Sequence, residues 1–238
     1  MRTAEGIADA GIVVGNTYDK YGTRNPLARL LVHGFENSLS ELVARASPKT
    51  IHEVGCGEGY WVIRWTRLGF NARGSDFSSK VIELARANAA AEGLNRVSFE
   101  ARNLYDLKPG DDADLLICLE VLEHLHYPDQ ALRALERVVT GYLILSVPRE
   151  PIWRALNVAR GKYLRGWGNT PGHLQHWSRS AFVRWVQQYA FDVLAVRSPL
   201  PWTLVLCRPR GGTFVSFPTS TSVDRWHGRY SDGAHIAR

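Results

Sequence analysis

Hydrophobic and polar positions alternate along residues 50–148 between short apolar runs and stretches with a helical repeat. The runs IHEV, NARGSD, RVSFEA, ADLLICLE and YLILSVP have the length of strands, whereas YWVIRWTRL and SSKVIELARANAAAEG place apolar residues three or four positions apart. Strands that alternate with helices are typical of βαβ units and a parallel sheet. The pattern therefore predicts an α/β fold whose ligand lies at the carboxyl ends of the strands.

The same pattern predicts the regions that flank this alternation. Apolar positions at helical spacing within residues 17–46, interrupted at Gly34, predict two helices packed on the core. The later runs DVLAVR and TLVLCR are joined by a link too short for a helical crossover, so we expect a hairpin-like pair at the sheet edge. We predict a helical N-terminal cap at 1–48, a main domain at 49–210, and a poorly ordered tail at 211–238.

Composition narrows the class of protein. The 238 residues are 45% hydrophobic and 22% charged, which is ordinary for a single globular domain. No run approaches the ~18 apolar residues of a membrane span, and the first residues lack the pattern of a signal peptide, so a cytoplasmic protein is expected. Cys56, Cys118 and Cys207 form no C-x-x-C pair and are predicted to be reduced and mostly structural.

The net charge of +6 is divided unevenly along the chain. Residues 1–148 hold 16 Lys and Arg against 19 Asp and Glu, a net charge of −3, whereas residues 149–210 hold 10 against 2, a net charge of +8. We infer that the cofactor and the substrate are handled by different parts of the chain.

Three glycines at alternate positions come directly after the first strand of the alternating region, in the sequence EVGCGEGY. Gly55, Gly57 and Gly59 would allow a ligand to approach the backbone closely at a strand-to-helix turn, although tight packing alone is an alternative explanation. Their G-x-G-x-G spacing differs from the G-x-G-x-x-G of nicotinamide enzymes, and the Lys-Ser/Thr ending of a P-loop is missing. The spacing therefore favours an adenosine ligand without phosphates.

Together with GSDFS and LLICLEVLEHL, this motif resembles the class I S-adenosylmethionine-dependent methyltransferases, nearest to their small-molecule type. The resemblance covers residues 50–148 well and the later strands loosely. It implies a Rossmann-like methyltransferase fold, with a mostly parallel sheet and an antiparallel C-terminal edge. It also implies an enzyme that uses S-adenosyl-L-methionine.

The resemblance implies a role for each part of the cofactor site. The glycine loop would pass under the methionine part, Asp76 would hold the ribose diol, and Asn103 would contact adenine in place of the more common Asp. A carboxylate suits a cis-diol because it can accept both hydroxyl hydrogens. Glu120 would lie beside the methyl-bearing sulfonium. The predicted cofactor residues are Glu53, Gly55, Cys56, Gly57, Gly59, Asp76, Phe77, Asn103, Leu104, Leu119, Glu120 and Tyr21.

Three histidines are candidates for the base that deprotonates the methyl acceptor. His173 and His176, in PGHLQHW, are preferred, with His124 next, and a structural role is the alternative for each. No metal is predicted, because no carboxylate cluster or cysteine accompanies the histidine pair. Glu123 is interpreted as a solvated loop carboxylate. Trp177 is expected, with Tyr21, to shield the site.

The basic segment at residues 149–180 is predicted to bind the substrate. Its cations Arg149, Arg154, Arg160, Lys162 and Arg165 alternate with apolar residues, which suits an anionic acceptor, or a lipid-linked one met by peripheral membrane contact. A solvated basic face is the alternative.

The predicted acceptor is a small or lipid-linked molecule, with O-methylation favoured over N-methylation. No DNA partner is expected, because the chain lacks the Asn/Asp-Pro-Pro-Tyr/Phe sequence of amino-methylating nucleic-acid enzymes. The sequence makes no prediction of oligomeric state. The rival interpretations are a tRNA or rRNA methyltransferase and a non-catalytic protein that binds S-adenosylmethionine.

Overall fold

A seven-stranded sheet forms the centre of the protein in the computed structural model, which describes residues 1–4, 8–9, 12–13, 15 and 21–211. Ahead of it, two short strands, β1 (Ala8–Asp9) and β2 (Ile12–Val13), pair with each other in antiparallel fashion. The strands of the main sheet are β3 (Thr50–Val54), β4 (Asn71–Asp76), β5 (Ser98–Ala101), β6 (Leu115–Leu119), β7 (Tyr142–Pro148), β8 (Phe191–Arg197) and β9 (Trp202–Pro209).

The strand order in this sheet is β5-β4-β3-β6-β7-β9-β8. The pairs from β5 to β7 are parallel, and β9 runs antiparallel to both of its neighbours, β7 and β8. The predicted α/β fold, with its mostly parallel sheet and hairpin-like C-terminal edge, is thus confirmed. Strand order reverses between β3 and β6, and ligands of open α/β sheets bind beyond the carboxyl ends of the strands at such a point.

Six α-helices cover the two faces of the sheet in the described part of the chain. The crossover α2 connects β3 to β4, and α3 connects β4 to β5. The helices are α1 (Pro26–Ala46), α2 (Tyr60–Arg67), α3 (Ser79–Ala91), α4 (Pro128–Val138), α5 (Ile152–Ala159) and α6 (Arg179–Gln187).

The prediction of two helices before the sheet is wrong for the described residues, because α1 continues through Gly34 without a break. Asn25 caps its first turn by accepting hydrogen bonds from two backbone N–H groups, and Ser47 ends it in a left-handed conformation with φ 47°. A single glycine costs a helix only about 1 kcal/mol, which 21 residues of packed helix easily offset. Residues 17–20 of the predicted segment lie outside the described chain.

Two apolar cores lie on opposite faces of the sheet. On one face, α1 and α2 bury Leu39 and Trp65 against strand residues such as Ile51, while on the other α4 and α6 bury Leu132 and Phe182. The three cysteines are free, which agrees with the prediction of reduced thiols, and all three are buried.

No helix among the described residues is long and apolar enough to cross a bilayer. The predicted tail at 211–238 lies outside the described residues, apart from Gly211.

Candidate active site

The turn between β3 and α2 carries the three glycines, and all three adopt positive φ, at 78°, 50° and 80°. Their surroundings differ. A Cβ on Gly55 would lie 2.3 Å from Val121 Cγ2, and one on Gly59 would lie 2.7 Å from the Phe99 ring. Among the described residues, a Cβ on Gly57 would meet only the Cα of Gly15, at 4.0 Å. Packing therefore accounts for two of the glycines, whereas Gly57 has open space beside its Cα in the described part of the chain.

Asp76 ends β4 beside this turn and faces the glycine loop. Its Oδ2 accepts a hydrogen bond from the N–H of Gly57 at 3.1 Å, and its Oδ1 accepts one from the N–H of Ser78 at 3.1 Å. Burial raises the pKa of this carboxyl, while the two backbone hydrogen bonds oppose the shift. The carboxylate is therefore buried and oriented by backbone donors. Its contact with a ribose diol stays a prediction.

The N-terminal residues lie against the same loop. The N–H of Ala4 donates to Glu58 Oε1 at 2.9 Å, and Ser78 Oγ donates to Asp9 at 2.7 Å. Tyr21 stacks on Tyr60, the first residue of α2, with ring centroids 3.6 Å apart. The structure thus places Tyr21 next to the glycine loop, although its role in shielding a cofactor stays a prediction.

Three further residues predicted to bind the cofactor, among them Asn103 for adenine, come directly after β4 and β5. Phe77 is 42% exposed, which leaves its ring available to a flat ligand, and Leu104 is buried in the neighbouring core. Asn103 Oδ1 accepts from the N–H of Tyr105 at 3.1 Å and so caps a short 3₁₀ turn. The NH₂ group of this side chain is a hydrogen-bond donor as well, and its contact with adenine stays a prediction. Glu53 and Cys56 are buried on either side of the turn.

The end of β6 brings a second loop against the glycines. Leu119 is buried, and Glu120 comes after it with φ 55°, an uncommon conformation for a residue other than glycine. The N–H of Glu120 is fixed by Ser146, whose carbonyl lies 3.1 Å away. Val121, the next residue, is the one that contacts Gly55. This loop therefore connects the predicted cofactor site to the 3₁₀ turn Leu122–His124.

That turn contributes to a cluster of one carboxylate and two imidazoles. Glu123, His124 and His173 each place one ligand atom within 4.8 Å of the other two, and the two imidazole rings meet edge to face at 4.9 Å. The interpretation of Glu123 as a solvated loop carboxylate is wrong, because the residue is only 1% exposed. Its neighbours in the turn pack into the apolar core on one face of the sheet, which draws the carboxylate inward.

Backbone hydrogen bonds hold in place the segment that carries His173, which comes later in the chain than the other two residues of the cluster. The carbonyl of Glu123 accepts from the N–H groups of Leu174 and Gln175, at 2.7 and 3.0 Å. His124 Nδ1 lies 3.0 Å from the carbonyl of Gly172. These contacts join the turn after β6 to a segment 48 residues later, so that His173 reaches the site by main-chain pairing.

The histidines differ in their surroundings and therefore in their chemistry. Burial, together with the neighbouring His124, lowers the pKa of His173 from 6.5 to about 4. A base is most effective when its pKa lies near the working pH, so a neutral imidazole with this pKa is a weak base but a ready metal ligand. His176 is outside the cluster: its Nε2 lies 2.7 Å from Asn169 Oδ1, and burial lowers its pKa as well.

Trp153 and its partners were not predicted from the sequence. The Trp153 ring stacks on His173 with centroids 5.7 Å apart, and its Nε1 donates to Thr170 Oγ1 at 2.8 Å. Asn157 Nδ2 donates to the same oxygen at 3.1 Å and to the carbonyl of Gly168 at 2.8 Å. Trp177, which was expected to shield the site, instead packs against Phe182 and Trp185 in the core.

The cations of the basic segment are spread rather than gathered at the cluster. Arg154 forms an ion pair with Glu150 at 3.7 Å, and Arg160, directly after α5, hydrogen-bonds to Asn157 of that helix. Arg149 pairs through its backbone with Trp177 and with Pro201. Lys162 and Arg165 are exposed beyond α5.

The cluster also contains the donor set of a divalent cation. One carboxylate and two imidazoles suit Zn²⁺ and similar ions, and they leave further coordination positions for water or substrate. The prediction that no metal is bound depended on the lack of a nearby carboxylate. Glu123 supplies that carboxylate, so the reason for the prediction no longer holds.

The family of the chain follows from comparison with known proteins. A family model described as a methyltransferase domain matches residues 31–196, which is well over half of the chain. The chain belongs to the class I S-adenosylmethionine-dependent methyltransferases. The match spans the glycine loop, Asp76 and the Glu123, His124 and His173 cluster, and it confirms the predicted family and its cofactor class.

Individual relatives agree with the family at lower coverage. The ubiquinone biosynthesis O-methyltransferase of Cupriavidus pinatubonensis is 31% identical over 108 residues, which cover 44% of this chain and 43% of that protein. The chain thus spans less than half the length of that relative.

Solved structures agree with the fold. The magnesium protoporphyrin IX methyltransferase of Synechocystis PCC 6803, with bound SAH, has a TM-score of 0.61 at 20% identity, over 81% of this chain and 91% of that one. The cyclase SpnF has a TM-score of 0.59 at 16% identity, over 82% and 86%. One fold therefore serves proteins with different names and chemistry.

Proposed function

We propose that this protein transfers the methyl group of S-adenosylmethionine to a hydroxyl group of a small, lipid-linked acceptor. The observation that carries the proposal is the cluster of Glu123, His124 and His173, joined to the glycine loop through the contact between Val121 and Gly55. Supporting it is the activity for which the relative from Cupriavidus pinatubonensis is named, O-methylation in ubiquinone biosynthesis.

The residues at the strand ends fit S-adenosylmethionine. The open backbone at Gly57, the oriented carboxylate of Asp76 and the exposed ring of Phe77 would hold its methionine part, its ribose and its adenine. When bound, the cofactor supplies an activated methyl group on a sulfonium. The protein then has to position the acceptor oxygen in line with that methyl, which supplies most of the acceleration in reactions of this kind.

The acceptor oxygen has to lose its proton, and the cluster is suited to assist. A divalent cation bound by Glu123, His124 and His173 would lower the pKa of a coordinated hydroxyl. In the absence of a cation, His173 would act only weakly as a base because of its lowered pKa. Amines that are already deprotonated do not need this assistance, so the cluster favours an oxygen acceptor.

The acceptor is proposed to be lipid-linked, and the protein is proposed to meet it at a membrane surface. The +8 charge of residues 149–210 and the apolar residues within the basic segment support this proposal. The alternative is a soluble acceptor that carries a phosphate or a carboxylate, because the same cations would bind it.

The test is methyl transfer from radiolabelled S-adenosylmethionine to a panel of acceptors. The panel contains a catechol with a short isoprenoid chain, the same catechol without the chain, and the corresponding aromatic amine. We expect label on the chain-bearing catechol first. Label on the amine alone would contradict oxygen as the acceptor atom, and label on neither, with cofactor bound, would favour the non-catalytic alternative.

Removal of metal tests whether the cluster acts through a bound cation or through its imidazoles alone. After dialysis against a chelator, we expect turnover to fall and to recover when Zn²⁺ or Mg²⁺ is added back, while cofactor affinity stays the same. Unchanged turnover after chelation would contradict the cation and leave deprotonation to the imidazoles.

The rival function is methylation of tRNA or rRNA, since the same basic segment could contact phosphates. Titration with a fluorescent RNA at two salt concentrations checks it. Tight binding with a steep salt dependence, together with label transferred to RNA, would replace the lipid-linked acceptor.

A further inference from the structure

An exposed segment of apolar and basic residues, 158–167, extends from the end of α5. Its sequence, VARGKYLRGW, contains three cations and no acidic residue. Four large apolar side chains are exposed within ten positions, which is unusual on a surface that faces only water. They are Val158 at 43%, Tyr163 at 40%, Leu164 at 59% and Trp167 at 83% exposure.

Backbone hydrogen bonds close the segment at its base, where it meets Asn157 and Gly168. The N–H of Lys162 donates to the carbonyl of Asn157 at 2.8 Å, and the N–H of Gly168 donates to the carbonyl of Tyr163 at 3.0 Å. A Cβ on Gly168 would lie 2.3 Å from the carbonyl oxygen of Arg154, so only glycine permits this closure. The exposed side chains are therefore held outward by the fold.

Two aromatic residues of the segment adopt a backbone conformation that side chains disfavour. Tyr163 has φ 55° and Trp167 has φ 51°, both in the left-handed region. Strained conformations of this kind persist where the surrounding structure enforces them, and they concentrate at functional positions. Trp167, the largest side chain of the segment, is also its most exposed one.

The base of the segment, at Asn157 and Gly168, is connected to the candidate active site through hydrogen bonds and ring stacking. Asn157 bonds to the carbonyl of Gly168 and to Thr170, and Thr170 accepts from Trp153, which stacks on His173. The exposed tip and the cluster are thus two ends of one short packed region. A molecule leaving a membrane beside the tip would arrive close to the cluster.

We propose that residues 158–167 dock the protein on an anionic lipid bilayer. Trp167, Leu164 and Tyr163 enter the interface between headgroups and acyl chains, while Lys162 and Arg165 contact lipid phosphates. Positive charge beside exposed aromatic and aliphatic groups complements such a surface. A nucleic-acid surface would use the cations and the aromatic rings but not the aliphatic side chains. This inference rests on the proposed function in one respect, since it supplies the route for a lipid-linked acceptor.

The experiment is co-sedimentation of the full chain with vesicles of phosphatidylcholine containing about one quarter phosphatidylglycerol. The apolar variant is Leu164→Ala with Trp167→Ala, and its control is Tyr127→Ala, which changes an aromatic residue of 62% exposure outside the segment. The charge variant is Lys162→Gln with Arg165→Gln. Its control is Lys49→Gln with Arg96→Gln, which removes two exposed cations near the amino ends of β3 and β5.

We expect the wild type to sediment with the anionic vesicles and far less with pure phosphatidylcholine. The charge variant should bind about 30-fold more weakly, and the apolar variant about tenfold more weakly, while both controls bind as the wild type does. Thermal melting of each variant checks that the fold is intact. Absence of vesicle binding by the wild type overturns the proposal, as does equal loss in variants and controls.

Two further outcomes distinguish this proposal from neighbouring ones. Vesicle binding that is lost in the charge variant but kept in the apolar variant, together with tight RNA binding, would overturn the membrane in favour of nucleic acid. Vesicle binding is measured without acceptor or cofactor, so failure of methyl transfer leaves it unaffected. Conversely, methyl transfer to a detergent-dissolved acceptor without vesicle binding would overturn only the docking surface.

Discussion

The proposed cofactor half (Gly57 and Asp76) and the proposed acceptor half (Glu123, His124 and His173) of this site are built in different ways. The cofactor half uses neighbouring residues: Asp76 and Gly57 are 19 positions apart and meet through one hydrogen bond between adjacent strand ends. The acceptor half joins His124 to a segment 48 positions later and stacks Trp153 on His173 across a loop. The first half is therefore fixed by the sheet, whereas the second depends on how the chain after β7 folds back onto it.

Because the halves are built differently, substitutions in each should affect different measured properties. Changes in the cofactor half should weaken cofactor binding directly, because the groups concerned lie at the ends of central strands. Changes in the acceptor half should leave cofactor binding intact and alter turnover or the acceptor KM. Variants in each half, compared by turnover, stability and cofactor affinity, test that separation.

The largest effect is expected at the cluster. His173→Ala should lower turnover by about 10²- to 10³-fold, because the acceptor hydroxyl loses either a metal ligand or a base. Glu123→Gln should act in the same direction. Affinity for S-adenosylmethionine, measured by calorimetry, should stay within about twofold of the wild type.

His176→Ala is the matched control, since this imidazole lies outside the cluster and bonds to Asn169. We expect it to lose much less turnover than His173→Ala. Equal losses in the two variants, or a large loss of cofactor affinity in His173→Ala, would contradict the separation of the halves.

A second effect concerns stability at acid pH. Unfolded His173 takes up a proton near pH 6.5, whereas folded His173 does so only near pH 4, so falling pH between these values favours the unfolded chain. The free energy of unfolding should therefore lose up to about 3 kcal/mol over this window. His173→Gln should remove that part of the dependence. Denaturant melts at several pH values measure it, and parallel curves for wild type and variant would contradict it.

In the cofactor half, Asp76→Ala should weaken S-adenosylmethionine binding by about 1.5 to 3 kcal/mol, the range for a charged hydrogen-bonding group. The affinity of Asp76→Asn for S-adenosylmethionine should lie between those of the wild type and Asp76→Ala, because asparagine keeps one acceptor oxygen. Asp106→Asn, which changes an exposed carboxyl in the 3₁₀ turn after β5, is the control. Unchanged calorimetric affinity in Asp76→Ala would remove this residue from the ribose site.

The smallest effects distinguish two glycines of the same loop. Gly59→Ala forces a Cβ against the Phe99 ring, so we expect a lower melting temperature. Gly57→Ala has room for its methyl group and should cost only about 1 kcal/mol of backbone strain, but it should weaken cofactor binding. Melting curves and calorimetry on both variants decide. Loss of binding in Gly59→Ala alone would mean that the open position has been misassigned.

The cofactor half could be predicted from the sequence because its signals are local. Strand-turn-helix patterning locates Gly57, and the next strand end locates Asp76, without knowledge of any distant contact. The two-helix prediction before the sheet was wrong because a propensity of about 1 kcal/mol at Gly34 was given more weight than the packing of a long amphipathic helix.

The acceptor half could not be predicted in the same way. Glu123 lies in a polar-looking stretch, LEHLH, and nothing local shows that the turn is buried and bonded to Leu174 and Gln175. Trp153 was one of eight tryptophans, and its contact with His173 depends on a loop closure that involves Asn157 and Gly168. Such contacts join residues far apart in the chain and leave no periodic pattern.

The two hydrogen bonds to the carbonyl of Glu123 have a consequence for the evolution of acceptor range. Both donors are backbone N–H groups, so the junction does not depend on which side chains residues 174 and 175 carry. The side chains at positions 174 and 175 can therefore change while the stretch between β7 and this junction still delivers the imidazole of His173 to the same point. Chimaeras that graft the equivalent stretch from a related methyltransferase should inherit a new acceptor without rebuilding the cofactor half.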